Sequence, residues 1–323
     1  MFVGSSVLNI PALPDRYQAL FQRIRASYQT RRWQWIVSVV LFVLVNGYIF
    51  YRLTREWSSI TSIQWTLSRP IDLLFAAVVH LIGVTTVIAA WGMILRRYGY
   101  AISFRRHFKV YTLANLARKL PGGLGIDLLS RLYMYEKDGG GRLQISFVTL
   151  IEPIVLGIAA TVVLLITLLI PGGALSDISP LVPLGVLALF CVLLPSPLFR
   201  ALLTRVSKAK PDDPQLRWQH VFTWVSINTI TITLGGLTLF LFCRALGVAG
   251  DSALPVLIQF WAFVVASSSL IAWLPIDIGA MNGLTILALA TLMPMPQAIA
   301  LLVIWRIWLT LIDMAWGGIG FLL

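Results

Sequence analysis

Charge is scarce in this chain. Only 12% of its 323 residues are Asp, Glu, Lys or Arg, against about 25% in an ordinary soluble domain. There are 13 acidic residues and three histidines. His80, His107 and His220 are scattered, so no metal triad is expected, and H-E-x-x-H is missing. Cys191 and Cys243 are the only cysteines, both in apolar stretches and without C-x-x-C spacing. That excludes a disulfide framework and a thiolate metal site; both read as small core residues. The phosphate loop G-x-x-x-x-G-K-[ST], the nucleophile elbow G-x-S-x-G and a nucleotide-sugar D-x-D are all missing. Long polar stretches are missing too. The longest lie within 1–34 and 96–145, so no appended catalytic domain is expected. No signal-peptide pattern opens the chain, because the first apolar run begins only near Trp35.

Apolar runs dominate instead. The chain is 58% hydrophobic, and several runs approach or exceed the roughly 20 residues that cross a bilayer as a helix. The expected fold is an all-α polytopic membrane protein. Six full spans are read at about 35–51, 73–95, 146–170, 181–199, 221–243 and 298–321. Two further apolar segments, about 107–135 and 254–293, are broken in the middle and read as re-entrant helical hairpins. Counting every piece as a separate span gives eight or more crossings, the main alternative. Residues 1–34 form a basic cytoplasmic lead and 35–323 one integral membrane domain.

The formal charge of +12 sorts by topology. Twenty of the 25 Lys and Arg fall in three segments: five in 1–34, ten in 96–145 and five in 200–220. The positive-inside rule makes these cytoplasmic. They lack interleaved stacking aromatics, so nucleic acid is not an expected partner. With both termini inside, the path closes. The first hairpin enters from the cytoplasm, framed by Arg105, Arg106 and Lys109 before it and Lys137 and Arg142 after it. The second enters from outside, after Arg244. Asp138 is then expected inside and Asp177 outside. Trp33, Trp35, Trp57, Trp65, Trp218 and Trp224 fall near span ends and read as the interfacial belt.

Both breaks carry one motif. Leu120-Pro121-Gly122-Gly123-Leu124-Gly125 and Leu274-Pro275-Ile276-Asp277-Ile278-Gly279 share L-P-x-x-(L/I)-G and stand 154 residues apart. Span centres pair as 43 with 190, 84 with 233 and 158 with 310, offsets of 147, 149 and 152. Four elements in one order at a nearly constant offset imply duplication, about 35–170 and 181–323. Three full spans per half, an odd number, require the second half to be inverted. Paired breaks in inverted repeats point to a transporter site near the midplane, because broken backbone is tolerated only in protein or beside a wet cavity.

Ionisable side chains inside spans are functional candidates by default. They are Arg118, Lys119, Asp127 and Arg131 in the first hairpin, Glu152 before Pro153, Asp277 in the second hairpin, and Arg306 and Asp313 in the last span. Arg306, Thr310, Asp313 and Gly317 give that span one polar stripe. Glu152 and Arg306 stand at the motif offset of 154. Arg306 is expected to meet Glu152, Asp277 or a substrate phosphate. Gly122, Gly123 and Gly125 let the backbone turn sharply and bring N–H groups near an anion. Arg118, Lys119 and Arg131 flank them, as a phosphate-bearing headgroup would require. Two structural alternatives stand beside these readings: buried charges that orient helices, and a Gly-Pro turn that only forms a hairpin tip. His80 reads as a packed or helix-bonded histidine rather than a proton relay.

Asn115, the stretch Leu120–Gly125, Arg131, Glu152, Pro275 with Gly279, and Arg306 together resemble a flippase-like membrane family, that of the transmembrane region of lysylphosphatidylglycerol synthase, the multiple peptide resistance factor. The resemblance covers most of 35–323. The second motif departs from the family pattern: Ile276-Asp277 replaces Pro/Gly-type residues, and Asn282 stands near the usual Glu. The resemblance implies the flippase part without the aminoacyl-transferase domain. The expected function is transbilayer movement of an anionic or phosphate-bearing lipid in the cell membrane, without a cofactor. The cargo could be a phospholipid, an aminoacyl-lipid, a hopanoid or a polyprenyl-phosphate-linked precursor. A membrane-embedded glycosyl or headgroup transferase and a scaffold for a separate transferase are the alternatives, and self-association stays open.

Overall fold

A computed structural model of the chain describes residues 67–118, 123–170, 179–193, 218–271, 277–290 and 292–323, with scattered residues from 40 to 58. Those scattered residues are helical, and 54, 55 and 58 lie past the expected end at 51. Nine further α-helices occur among the described residues: α1 Pro70–Arg97, α2 Phe104–Arg118, α3 Gly123–Glu136, α4 Arg142–Leu168, α5 Leu181–Leu193, α6 Trp218–Ala245, α7 Leu254–Ile271, α8 Asp277–Leu289 and α9 Met295–Leu322. No strand occurs among the described residues.

Local chemistry explains several helix ends. Pro70 opens α1 at a position whose N–H has no helical partner anyway. Asp72 sits in its first turn and Arg96 and Arg97 in its last, each matching the helix dipole. Gly99, at φ +79°, then reverses the chain. Its N–H reaches Arg96 O, and the Tyr100 N–H reaches Leu95 O. Gly247, at φ +70°, closes α6 the same way, with bonds to Arg244 O and Cys243 O. Residues with a Cβ are strained in that conformation.

Five helical stretches are long and apolar enough to cross a membrane: Pro70–Arg97, Gln144–Leu168, Gln219–Ala245, Asp251–Leu270 and Met295–Leu322. Four match expected full spans. The fifth contains α7, read from sequence as a re-entrant arm, so by length α7 could cross on its own. The expected spans at 35–51 and 181–199 are only partly described.

Contacts sort the helix ends into two faces. At one face, Tyr100 OH bonds Tyr135 O, Arg106 reaches Asp138 and Met134 O, and Gln144 reaches Tyr98 O. Lys109 Nζ bonds Phe321 O there, so α9 ends on this side. At the other face, Arg244 grips Asp72 with two bonds of 2.7 and 2.8 Å and also reaches Asp251. The first hairpin, α2–α3, therefore opens at the first face. The second, α7–α8, opens at the opposite face, where α9 begins.

Packing follows the same scheme. α1 lies along α6, α7 along α4, α9 along α2, and α8 touches α3. Small residues allow close approach. A Cβ on Gly236 would lie 2.6 Å from Ile258 Cα. Gly317 and Gly320 of α9 admit Leu116 and Thr112 of α2. The largest buried cluster joins α6, α7 and α9 through Phe242, Phe260, Leu301 and Trp305. Cys243 is buried, as its reading as a core residue requires.

Candidate functional site

α3 presents Asp127, Arg131 and Tyr135 at intervals of four, one above another on a single face. That face turns inward. Arg131 Nε donates to Asp127 Oδ1 at 2.9 Å, and Nη1 donates to Glu152 Oε2 on α4 at 2.6 Å. The three side chains are 3%, 3% and 12% exposed, so a formal ion cluster is held almost free of water. Tyr111 OH on α2 donates to Glu152 Oε1 at 3.0 Å.

Two rings hold the guanidinium. Arg131 Cζ is 4.4 Å from the Trp91 ring centroid and 4.6 Å from that of Tyr111. A desolvated cation between aromatic faces gains about 2 kcal/mol from such contacts. The network continues toward the first face. The Trp91 indole N–H donates to Tyr135 OH at 2.9 Å, and His107 Nδ1 shares a 3.0 Å bond with the same hydroxyl. Gly92 makes room for that imidazole, since a Cβ there would lie 3.1 Å from the His107 ring.

The cluster draws on four helices of the first half: α1, α2, α3 and α4. Two carboxylates face one guanidinium, leaving one negative charge in formal excess. Pro153 follows Glu152 inside α4 and removes one helical N–H donor. The helix is thus locally weakened where its one acidic side chain turns inward.

Of the residues expected from sequence, Asp127, Arg131 and Glu152 come together. Arg131 does not face an open phosphate cradle, because both carboxylates occupy it. Glu152 serves Arg131 and Tyr111 rather than Arg306. Asp313 is buried on α9 and bonds His80 Nε2 at 3.1 Å. His80 is therefore not merely packed or bonded within its own helix, as read from sequence. Arg306 is half-buried on α9, with Thr310 donating to its carbonyl. Asn282 of α8 is half-buried, and its Oδ1 has no hydrogen-bond partner among the described residues.

Backbone alone is described for Arg118 at the end of α2, for Gly123 and Gly125 in the first turns of α3, and for Asp277 and Gly279 in the first turn of α8. Lys119, Pro121, Gly122 and Pro275 lie outside the described residues, as do Trp33, Trp35, Trp57, Trp65, Asp177 and residues 1–34. The residues described after each motif are helical from the second position past its proline, Gly123 after Pro121 and Asp277 after Pro275.

Sequence reasoning missed Trp91, His107, Tyr111 and Tyr135. Trp91 could have been found: it stands well inside its span, where an indole N–H needs a partner. Tyr135 could have been found from its four-residue step after Arg131. Trp224, assigned from sequence to the interfacial belt, is 3% exposed and packs in the cluster of Trp91, Ile151 and Val155. Its position near a helix end did not reveal that α4 covers it.

Comparison with known proteins adds identity to this geometry. The chain matches a family model described as the lysylphosphatidylglycerol synthase TM region over residues 35–317. Comparison with curated proteins gives no match. The matched stretch takes in both hairpins, the Arg131 cluster and Arg306. The chain belongs to the lysylphosphatidylglycerol synthase TM region family, a multi-pass membrane domain with a lipid-related role.

Proposed function

We propose that this protein moves an anionic or phosphate-bearing lipid, or a lipid-linked precursor, between the leaflets of the cell membrane. The headgroup crosses where the two hairpins meet, while the acyl chains stay in lipid. One observation carries the reading: two hairpins open at opposite faces, and their second arms, α3 and α8, touch. Each of those arms is helical from the second residue after the proline of an L-P motif. Helix N-termini from both sides then converge near the midplane, as substrate sites of inverted-repeat transporters do.

The packing supports an inverted repeat. Under the offset of about 150, α1 corresponds to α6, the first hairpin to the second, and α4 to α9. A two-fold in the membrane plane would then map the α4–α7 contact onto the α9–α2 contact. It would map α1–α6 and α3–α8 onto themselves. All four contacts are made.

Arg131, Asp127 and Glu152 brace the first hairpin and set the field beneath its tip. Arg118 and Lys119 at the break, with Arg306 and Asn282 from the second half, are assigned to the headgroup. A transferase would need Asp127, Glu152 or Asp277 as a general acid or base, and the engagement of the first two by Arg131 argues against their use. Both termini are assigned to the cytoplasm from the Lys and Arg bias.

Reconstituted vesicles test the function. Headgroup-labelled phospholipid, aminoacyl-lipid and polyprenyl-phosphate probes are loaded in both leaflets and bleached from outside. At least one probe should become fully bleachable with protein present. Protection of the inner-leaflet pool for every probe, as in protein-free vesicles, would sink the transport reading.

A further inference from the structure

A second group of charges sits where the second hairpin opens, away from the Arg131 cluster. Arg244, in the last turn of α6, holds Asp72 of α1 through Nε and Nη2 at 2.7 and 2.8 Å. Its remaining Nη1 donates to Asp251 Oδ1 at 3.2 Å. Arg69 Nη1 lies 3.6 Å from that same oxygen. Two guanidiniums therefore converge on one carboxylate oxygen. The Arg69 N–H donates to Ala245 O, and the Ser68 hydroxyl reaches Arg244 O and Ala245 O. These bonds fix the entry of α1 beside the end of α6.

The two carboxylates are held differently. The Asp72 side chain is 4% exposed and meets Arg244 with both oxygens, the bidentate geometry of a strong pair. Without Arg244 it would be a buried, unpaired charge, so this pair is permanent. The Asp251 side chain is 72% exposed and makes one contact to each arginine. Exposed ion pairs of that kind contribute little, so another anion can take its place. The surroundings suit an amphiphile. All four charges lie at helix ends, the depth of lipid headgroups. Below Arg69, α1 turns Ile71, Leu74, Phe75, Val78 and Ile82 outward, all exposed, while Asp72, Ala76 and Gly83 are buried. Their spacing places them on one helix face. From 71 to 82 that face runs about 16 Å at 1.5 Å per residue, about half of a hydrocarbon core roughly 30 Å thick.

We propose that Arg69 and Arg244 form a docking site for the phosphate of a lipid headgroup, with Asp251 as the placeholder it displaces and the exposed face of α1 as the bed for its acyl chains. The exchange is non-covalent. Phosphate oxygens take the two guanidinium edges that Asp251 Oδ1 occupies, the kind of contact for which arginine is suited. Asp72 keeps Arg244 aimed throughout. With Asp251 displaced, Arg69 and Arg244 against Asp72 leave one net positive charge, which one phosphodiester neutralises. That cargo joins or leaves the second hairpin here rests on the function proposed above; the binding itself does not.

Binding in detergent tests the site without transport. An environment-sensitive fluorophore on Ser252→Cys, exposed beside Asp251, is read in dodecyl maltoside, with Cys191 and Cys243 replaced by Ala. The titrants are phosphatidylglycerol, diacylglycerol with the same chains, and inorganic phosphate. Phosphatidylglycerol should saturate the signal. The other two should bind at least about tenfold more weakly, because one lacks the charge and the other the apolar surface. Arg69→Gln should weaken phosphatidylglycerol binding about tenfold, the loss of one hydrogen bond to a charged group. Asp251→Asn should tighten it about threefold, since the competing carboxylate is only weakly held. Arg244→Gln is paired with Asp72→Asn so that no buried carboxylate is stranded, and should abolish the signal. If that double variant fails to fold, Arg69→Gln decides. Unchanged affinity in Arg69→Gln, or no tightening in Asp251→Asn, would overturn the proposal. So would an equal response to inorganic phosphate, which would make this a free-anion site, or to diacylglycerol, which would leave the chains alone to bind. A protein that binds phosphatidylglycerol here but moves no probe in vesicles fails the transport reading and keeps the docking site.

Discussion

Arg131→Gln should cost about 3–5 kcal/mol of stability, the usual result of removing one partner from a buried ion cluster. The physical reason is the pair of carboxylates it leaves behind. Asp127 is 3% exposed and Glu152 12%, so neither gains much hydration when the guanidinium goes. The stacking on Trp91 and Tyr111 is lost as well. Arg131→Lys should fall between wild type and Gln. An ammonium keeps the charge but cannot fork to two carboxylates while lying flat between two rings. The triple variant Arg131→Gln, Asp127→Asn, Glu152→Gln carries no charge in the cluster. It should recover most of the lost stability, because neutralising the whole group removes the desolvation burden. Thermal unfolding in detergent or nanodiscs compares the three. A single Gln variant as stable as wild type would show that the cluster is not sealed from water.

Gly236→Val should be the most damaging change at the interface between α6 and α7. The added Cβ would lie 2.6 Å from Ile258 Cα, and backbone cannot swing aside as a side chain can. The helices must separate, at a cost of about 1–3 kcal/mol or more for overpacking. Separation also breaks the buried contacts of Phe242 and Phe260. Gly283→Ala provides the contrast. No atom lies within 4 Å of its added Cβ, and Ala favours a helix over Gly by about 1 kcal/mol. That variant should be neutral or slightly more stable. Equal melting temperatures for Gly236→Val and wild type would mean that α6 and α7 do not approach as closely as described.

The sequence carried the architecture further than it carried the site. Apolar runs of span length were enough for a multi-pass helical protein, and each L-P motif falls between two described helices. Asp127, Arg131 and Glu152 were legible because charge inside an apolar run is rare. Their mutual pairing was not, since Glu152 was read as one of three candidate partners for Arg306, beside Asp277 and a substrate phosphate. Periodicity places a residue on a face but does not say which helix covers that face. The same gap explains Trp224, whose position near a helix end hid its burial under α4. His80 and Asp313 are 233 residues apart in sequence, and only the folded structure brings their side chains within hydrogen-bond distance. The length of α7 shows a different limit: an apolar arm of a hairpin and a full span look alike until neighbouring elements fix their ends.

The opposed hairpins are the centre of this account, and labelling from the two sides of the membrane tests them most directly. Lys137→Cys lies at the open end of the first hairpin and Ser252→Cys at that of the second, both exposed. Each is made with Cys191 and Cys243 replaced by Ala, in right-side-out and inverted vesicles with a membrane-impermeant thiol reagent. The expected result is labelling of Lys137→Cys only from the cytoplasmic side and of Ser252→Cys only from the outside. Labelling of both positions from one side would contradict the opposed-hairpin architecture and, with it, the midplane passage.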